Sequence, residues 1–489
     1  MASAPVADGT TTRRPTVIQG GMGVAVSDWR LARAVSRTGQ LGVVSGTALD
    51  VLLTRRLQSG DPGGEVRRAL AAFPQPEVAA WILDAYFVEG GIAPDARFAQ
   101  VPRHTLASSV RLQELTVAAG FVEVFLAKEG HDGQVGINFL RKIELPLPAT
   151  LYGAMLAGVD VVLVGAGSPA DIPAMVRTLA RHEQVRAAVK VLGARSDDAV
   201  GDLCFDPRTV LRVAPNLPAL PGPAVFAIVA STDLARGLAE NPDTRPDGFV
   251  IEGASAGGHN SPPRGPRRVD ELGQPVYDDR DIVDLDQILA LGLPVWLAGG
   301  YGTPAKVREA LDRGASGVQV GTLFAYSDES GFEHSIKEQM RSRALAGELA
   351  VRADWRVSPT GFPFRVADIP GTLTDESVRT ARKPVCDLGV LRTAYLRADG
   401  EVDYRCPAEP LAAYVRKGGR DVNTEGRLCL CNALFASAGF PQRRPGGACE
   451  APLVTSGTDL TSVVHLLTAA EGPGYGAADA VAHLLSQAG

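Results

Sequence analysis

The chain has 489 residues, enough for about three ordinary domains or for one α/β barrel with additions. Apolar residues make up 45% and charged residues 21%, which excludes a mainly disordered chain. Lys and Arg number 49 against 55 Asp and Glu, a net charge of −6 with no block of one sign, so nothing supplies the basic face of a nucleic-acid binder.

The opening MASAPVADGTTTRRP lacks the apolar run of a signal peptide. The least charged stretch, Leu145 to Val159, is broken by Pro146 and Pro148 and falls short of the ~20 residues a spanning helix needs. The expectation is a cytoplasmic protein that does not engage membranes.

Eight short apolar runs recur along the chain. They begin at Val17, Gly42, Val135, Val161, Val225, Phe249, Val295 and Val318, and most end in glycine or a small polar residue. They are continuous rather than alternating, as strands buried on both faces of a parallel sheet require. Helix signals sit between most of them. Ser27 or Asp28 caps a helix that stops at Gly39, and Thr303-Pro304 opens another that stops at Gly314. Eight strands with helical connections predict an α/β fold, a (β/α)₈ TIM barrel; a doubly wound sheet is the alternative.

Two connections exceed a simple loop. Residues 47–134 carry helix signals near Val66–Phe73, Glu77–Val88 and Leu106–Ala119, and form a helical insertion after strand 2, as a lid or an interface. Residues 184–215 read as a smaller insertion, a hairpin. The expected division is a barrel of residues 15–46 and 135–325, the 47–134 insertion, and a C-terminal extension, 326–489. Within that extension 329–347 and 477–486 read as helices. Residues 350–450 are rich in Gly, Pro and Arg, hold few segments able to form a core alone, and are expected to cover the barrel mouth.

The chemistry gathers at strand ends. Strand seven ends in Ala298-Gly299-Gly300 and strand eight in Gln319-Val320-Gly321-Thr322. Loops after these strands frequently bind phosphate in barrels, because glycine lets backbone N–H groups approach an anion. The bland reading is a pair of tight turns. Strand one ends in Gly20-Gly21-Met22-Gly23, where backbone can lie flat against a ring, and Asn138 is a polar group at the end of strand three. Strand six runs into six small residues, Gly253 to Gly258, and then His259. An imidazole placed there can shuttle a proton near neutral pH; otherwise it is a surface loop histidine.

Ala256-Gly257-Gly258-His259, Gly20-Gly21-Met22-Gly23, Gly136-Ile137-Asn138, Ala298-Gly299-Gly300 and Gln319-Val320-Gly321-Thr322 together resemble the nitronate monooxygenase family, formerly 2-nitropropane dioxygenases, over about residues 15–325. FMN-dependent enoyl-ACP reductases share the pattern, and the added regions look like those of a long bacterial subgroup. The resemblance implies FMN, with phosphate on Gly299, Gly300, Gly321 and Thr322. It implies an isoalloxazine near Gly21, Met22, Gly23 and Asn138, framed by Gly258 and Gln319. His259 is then the catalytic residue, deprotonating a nitroalkane or holding the nitronate. The implied partners are a small nitronate or nitroalkane and dioxygen, which give a carbonyl compound and nitrite without a nicotinamide. A homo-oligomer is left open.

Two competing functions follow. One is an NAD(P)H-dependent enoyl-thioester reductase on the same barrel, against which stands the absence of a G-x-G-x-x-G fingerprint after a strand. The other is a non-catalytic flavin- or metal-binding scaffold built on Cys386, Cys406, Cys429 and Cys431. Their C-x-C spacing is not the common C-x₂-C of zinc sites, and reduced thiols are the simpler reading. Lys128, Glu129 and His131 either reach the barrel mouth or lie in a solvated loop.

Overall fold

A computed structural model describes residues 14–195, 201–212, 214 and 216–486. All eight expected strands are present: β1 (Val17–Gln19), β2 (Gly42–Ser45), β3 (Val135–Leu140), β4 (Val161–Gly165), β5 (Ala224–Val229), β6 (Gly248–Glu252), β7 (Val295–Ala298) and β8 (Gly317–Val320). They pair in parallel, in the order β2 to β8 and then β1. Backbone bonds close the ring: Gln19 N donates to Leu41 O at 2.9 Å, and Leu41 N to Val17 O at 3.1 Å. The fold is therefore a (β/α)₈ barrel rather than an open sheet.

Alternation along each strand sorts the side chains. Ile18, Val43, Leu163, Phe226, Val250 and Trp296 fill the barrel. Phe249, Ile251, Val318 and Val320 face outwards and pack in the layer shared with the helices. Both faces are apolar, which is why the runs read as continuous. Trp296 Nε1 donates to Pro15 O at 2.8 Å below the barrel.

The helix Trp29–Ser36 is capped by Asp28, whose carboxylate accepts from Arg30 N at 2.8 Å. Ser27 has another task, accepting from Met22 N at 2.7 Å to fold the turn after β1. Thr303 caps the helix Pro304–Asp312.

After β2 come four helices, Leu49–Gln58, Glu65–Ala71, Pro76–Tyr86 and Val110–Lys128. The first has no counterpart in the sequence reading. It starts from Ala48 without a side-chain cap and is buried over its whole length, so neither a cap nor a polar face announces it. The last begins after Ser109 and runs nine residues beyond the expected Ala119. That extension carries Lys128, Glu129 and His131 away from the barrel mouth. Lys128 Nζ meets Asp160, which precedes β4, at 2.6 Å, and Glu129 pairs with Arg68. All three lie at the opposite end of the barrel, before β3 begins.

Val185–Ala188 and Asp202–Phe205 form the antiparallel hairpin between β4 and β5; residues 196–200 of that connection lie outside the described residues. In the C-terminal part, His334–Ala346 and Ala477–Leu485 are helical. Val357, Phe364, Val366, Leu373, Leu428, Leu430, Ala433 and Leu453 make a small core of their own. This corrects the expectation that few segments here could build one. The contributing residues are scattered between turns, so no periodic run marks them. Among the described residues no helix is long and apolar enough to cross a membrane.

Candidate active site

The C-terminal ends of the strands open into one cavity. It is lined by Gly21, Met22, Gly23, Asn138, Gly258, His259, Gly299, Gly300, Gln319, Gly321 and Thr322, the residues expected to hold FMN and to act on the substrate. Strand alternation explains part of the grouping. Asn138, Glu252 and Gln319 are inward positions of their strands at the mouth, where the apolar barrel filling gives way to polar groups. Among them, Asn138 Oδ1 and Gln319 Oε1 are buried without a hydrogen-bond partner. Buried amide oxygens left unpaired are costly, which marks this layer as one that meets a polar ligand.

Gly21 lies against Asn138 so closely that a Cβ would stand 2.3 Å from Asn138 Cβ. Gly299 and Gly300 have φ of 84° and 79°, a conformation L side chains rarely adopt, and turn the chain sharply after β7. Thr322 begins a short helical turn, and its Oγ1 accepts from Gly457 N at 2.9 Å. Thr455, Ser456, Gly457, Thr458 and Asp459 also line this end of the cavity. Their Thr-Ser-Gly-Thr-Asp run was visible in the sequence, but nothing there tied it to strands more than a hundred residues earlier.

His259 ends the loop after β6. Gly258–His259 is a two-residue strand paired antiparallel with Phe364–Arg365 of the extension. His259 Nε2 lies 2.7 Å from Ser358 Oγ, which in turn lies 2.8 Å from Thr360 Oγ1. The Phe364 ring packs edge-on at 4.7 Å. Two side chains grip the loop's carbonyls. Arg365 donates to Ala254 O at 2.9 Å and Ala256 O at 3.2 Å, and Asn260 Nδ2 donates to the same two oxygens. The small residues before His259 thus form a held shelf rather than a free loop. Ser358, Phe364 and Arg365 were not legible as site residues, because their roles come from cross-strand register.

Burial pushes the His259 imidazole down to about 3, with the nearby Lys142 ammonium adding to it, so the ring is neutral at neutral pH. Burial pushes the Glu252 carboxyl up to about 7, and Lys142 opposes that rise. Lys142 is itself drawn down to about 7 by burial. Leu430, Cys431, Leu434 and Phe435, from a helix of the extension and its approach, give the cavity an apolar wall.

The cysteines are all free. Cys406, Cys429 and Cys431 sit together in a small apolar cluster. Burial pushes Cys386 up to about 11 and Cys406 up to about 12, which favours neutral thiols. Among the described residues no group of three or more His, Cys, Asp or Glu is arranged to hold a metal ion.

Residues 221–355 match the family model described as nitronate monooxygenase. A nitronate monooxygenase from Pseudomonas aeruginosa is 34% identical over 126 residues, which is 24% of this chain and 32% of the relative. The match thus spans about a third of that relative's length. Among solved structures, FabK from Thermotoga maritima is 18% identical, covering 73% of this chain and 72% of its own, with a TM-score of 0.38. A nitroalkane oxidase from Streptomyces ansochromogenes is 16% identical, covering 72% and 76%, with a TM-score of 0.38. Likenesses this distant decide nothing about chemistry. The matched segment holds β5 to β8, the Ala256–His259 loop and both glycine-bearing strand ends, so the likeness to the nitronate monooxygenase family lies in this part of the chain.

Proposed function

We propose that the chain is a flavin-dependent oxidoreductase that takes alkyl nitronates and dioxygen to a carbonyl compound and nitrite. The observation that carries this reading is the meeting of two glycine-bearing strand ends, two unpaired amide oxygens and His259 in one cavity. These residues fit FMN. Gly299, Gly300, Gly321 and Thr322 would hold its phosphate, joined by the Thr455–Asp459 segment. Gly21, Met22, Gly23, Asn138, Gly258 and Gln319 would border the ring, where Asn138 Oδ1 and Gln319 Oε1 are acceptors for ring N–H groups. When bound, FMN would supply the electron transfer between nitronate and dioxygen. The chain's own part is to orient the substrate at His259 and to keep bulk water out with the 430–435 wall.

A second reading is an NAD(P)H-dependent enoyl-thioester reductase. The apolar wall of Leu430, Leu434 and Phe435 favours it, since an acyl chain needs such a surface. One experiment separates the two. The purified protein is mixed with an alkyl nitronate in the absence of oxygen and its visible spectrum recorded. Loss of the oxidised-flavin band supports nitronate oxidation. A band that ignores nitronate and bleaches with NADPH supports the reductase. A protein without any flavin band overturns both.

A further inference from the structure

Resting on the nitronate reading, we infer that Glu252 takes the α-proton of a neutral nitroalkane, leaving His259 to hold the nitro oxygens. The argument begins with strand register. Val250 points into the barrel and Phe249 and Ile251 point out, so Glu252 is the next inward residue of β6 and stands at the mouth. It lines the cavity, and among the described residues no protein group hydrogen-bonds its carboxylate. A half-buried carboxylate that faces a cavity without a protein hydrogen bond is available to a substrate proton.

His259 is differently placed. Its Nε2 is committed to Ser358 Oγ at 2.7 Å, and the strand pairing with Phe364 fixes its backbone. Burial holds the ring neutral and makes it a weak base, while Glu252 is raised towards the pH at which it both accepts and returns a proton. Nδ1 is the ring nitrogen left for a molecule in the cavity. With the Ser358 hydroxyl donating to Nε2, Nδ1 carries the proton and can donate to a nitro oxygen.

Lys142 positions the charge on Glu252. It follows β3, its Nζ is buried without a hydrogen-bond acceptor, and the ammonium lies 3.0 Å from the centre of the Phe362 ring. Among the described residues, His259 shares the cavity with Glu252, Tyr277 feels its charge, and Arg365 lies beside Tyr277. Tyr277 donates to Ser261 O, and Arg365 is taken up by the Ala254 and Ala256 carbonyls. Lys142 is therefore the cation left to stabilise the carboxylate. In the step itself, a Glu252 oxygen takes the proton and the Cα–H bond breaks. Its electron pair enters the C=N bond of the nitronate, and the negative charge moves to the nitro oxygens. Nothing is oxidised, so no co-reactant is required.

The test uses the holoenzyme and nitroethane in D₂O at mildly acidic pH without oxygen, following loss of the Cα proton signal by NMR. Oxidation of preformed ethyl nitronate is measured in parallel. The native chain is expected to catalyse exchange. Glu252→Gln should lower exchange by about 100-fold, far more than it lowers nitronate oxidation, as a lost general base requires. Lys142→Met should shift the rising limb of the exchange pH profile upwards, because the carboxylate loses its stabilising cation. Exchange that survives Glu252→Gln overturns the inference, as does equal loss of both reactions. Should Glu252→Gln fail to fold, an unshifted profile in Lys142→Met overturns it instead. A native chain that oxidises nitronate without catalysing exchange overturns this inference alone. One that does neither overturns the nitronate reading as well.

Discussion

Ser358 Oγ stands 2.7 Å from His259 Nε2 although 99 residues separate them in the chain. The histidine belongs to the barrel and the serine to the extension, so the site is finished only when the extension docks. Ser358 is completely buried, and Thr360 N also donates to its oxygen, at 3.2 Å. Ser358→Ala should therefore lower turnover by about tenfold, the worth of one buried hydrogen bond. Flavin content should stay the same. Measuring kcat beside the flavin-to-protein ratio checks this, and a drop in flavin content would point to collapse of the mouth instead.

Arg56, from the first helix after β2, donates to Asp28 at 2.9 Å and to Glu123 at 2.6 Å. Glu123 in turn accepts from Trp29 N at 2.8 Å. This buried triad ties the inserted helices to the first barrel helix. Arg56→Met would leave the buried Glu123 without its cation and Asp28 with the half-exposed Arg30 alone, at a cost of about 3–5 kcal/mol. Chemical denaturation at neutral pH measures it, and a loss under about 1 kcal/mol would contradict the burial argument.

At the other end of the cavity, Gly299→Ala places a side chain at φ 84°, with its Cβ 3.1 Å from Ala256 N and Gly253 O. The strain is about 1–2 kcal/mol, and relief would push on the shelf below His259. Thr322→Val removes the acceptor of Gly457 N. Both variants should purify with a lower flavin-to-protein ratio, read from the visible and ultraviolet bands. Unchanged ratios would remove these residues from the proposed phosphate site.

Glu252 is raised from 4.5 to about 7 in the folded chain. Between those values the native state holds a proton that the unfolded state has released. Its contribution to stability is therefore complete below about 4.5 and is lost as pH rises to about 7. Relative to the native chain, Glu252→Gln should gain stability across that window, by about 1–3 kcal/mol, and stay level above it. Denaturation midpoints at pH 4.5 and pH 8 test the sign. A difference that does not change with pH would mean that Glu252 is solvated.

Much of the barrel was readable in the sequence because a strand buried on both faces needs an unbroken apolar run, and runs such as Val161–Gly165 and Val295–Ala298 have no other use for so many β-branched and bulky residues. Its glycine-bearing ends were readable for a similar local reason: Gly299 and Gly300 adopt backbone angles that few other residues tolerate. What remained hidden depends on neighbours distant in sequence. The helix Leu49–Gln58 is buried all round and carries no pattern until the surfaces that bury it are known. Ser358 and Arg365 are ordinary polar residues until antiparallel register sets one beside an imidazole and the other beneath two carbonyls. Glu252 reads as the end of a strand until the barrel closes, and closure turns it inward to a half-buried place at the cavity, where desolvation raises its proton affinity. Local covalent geometry and side-chain solubility are written residue by residue, whereas register, burial and charge proximity exist only once the chain has folded.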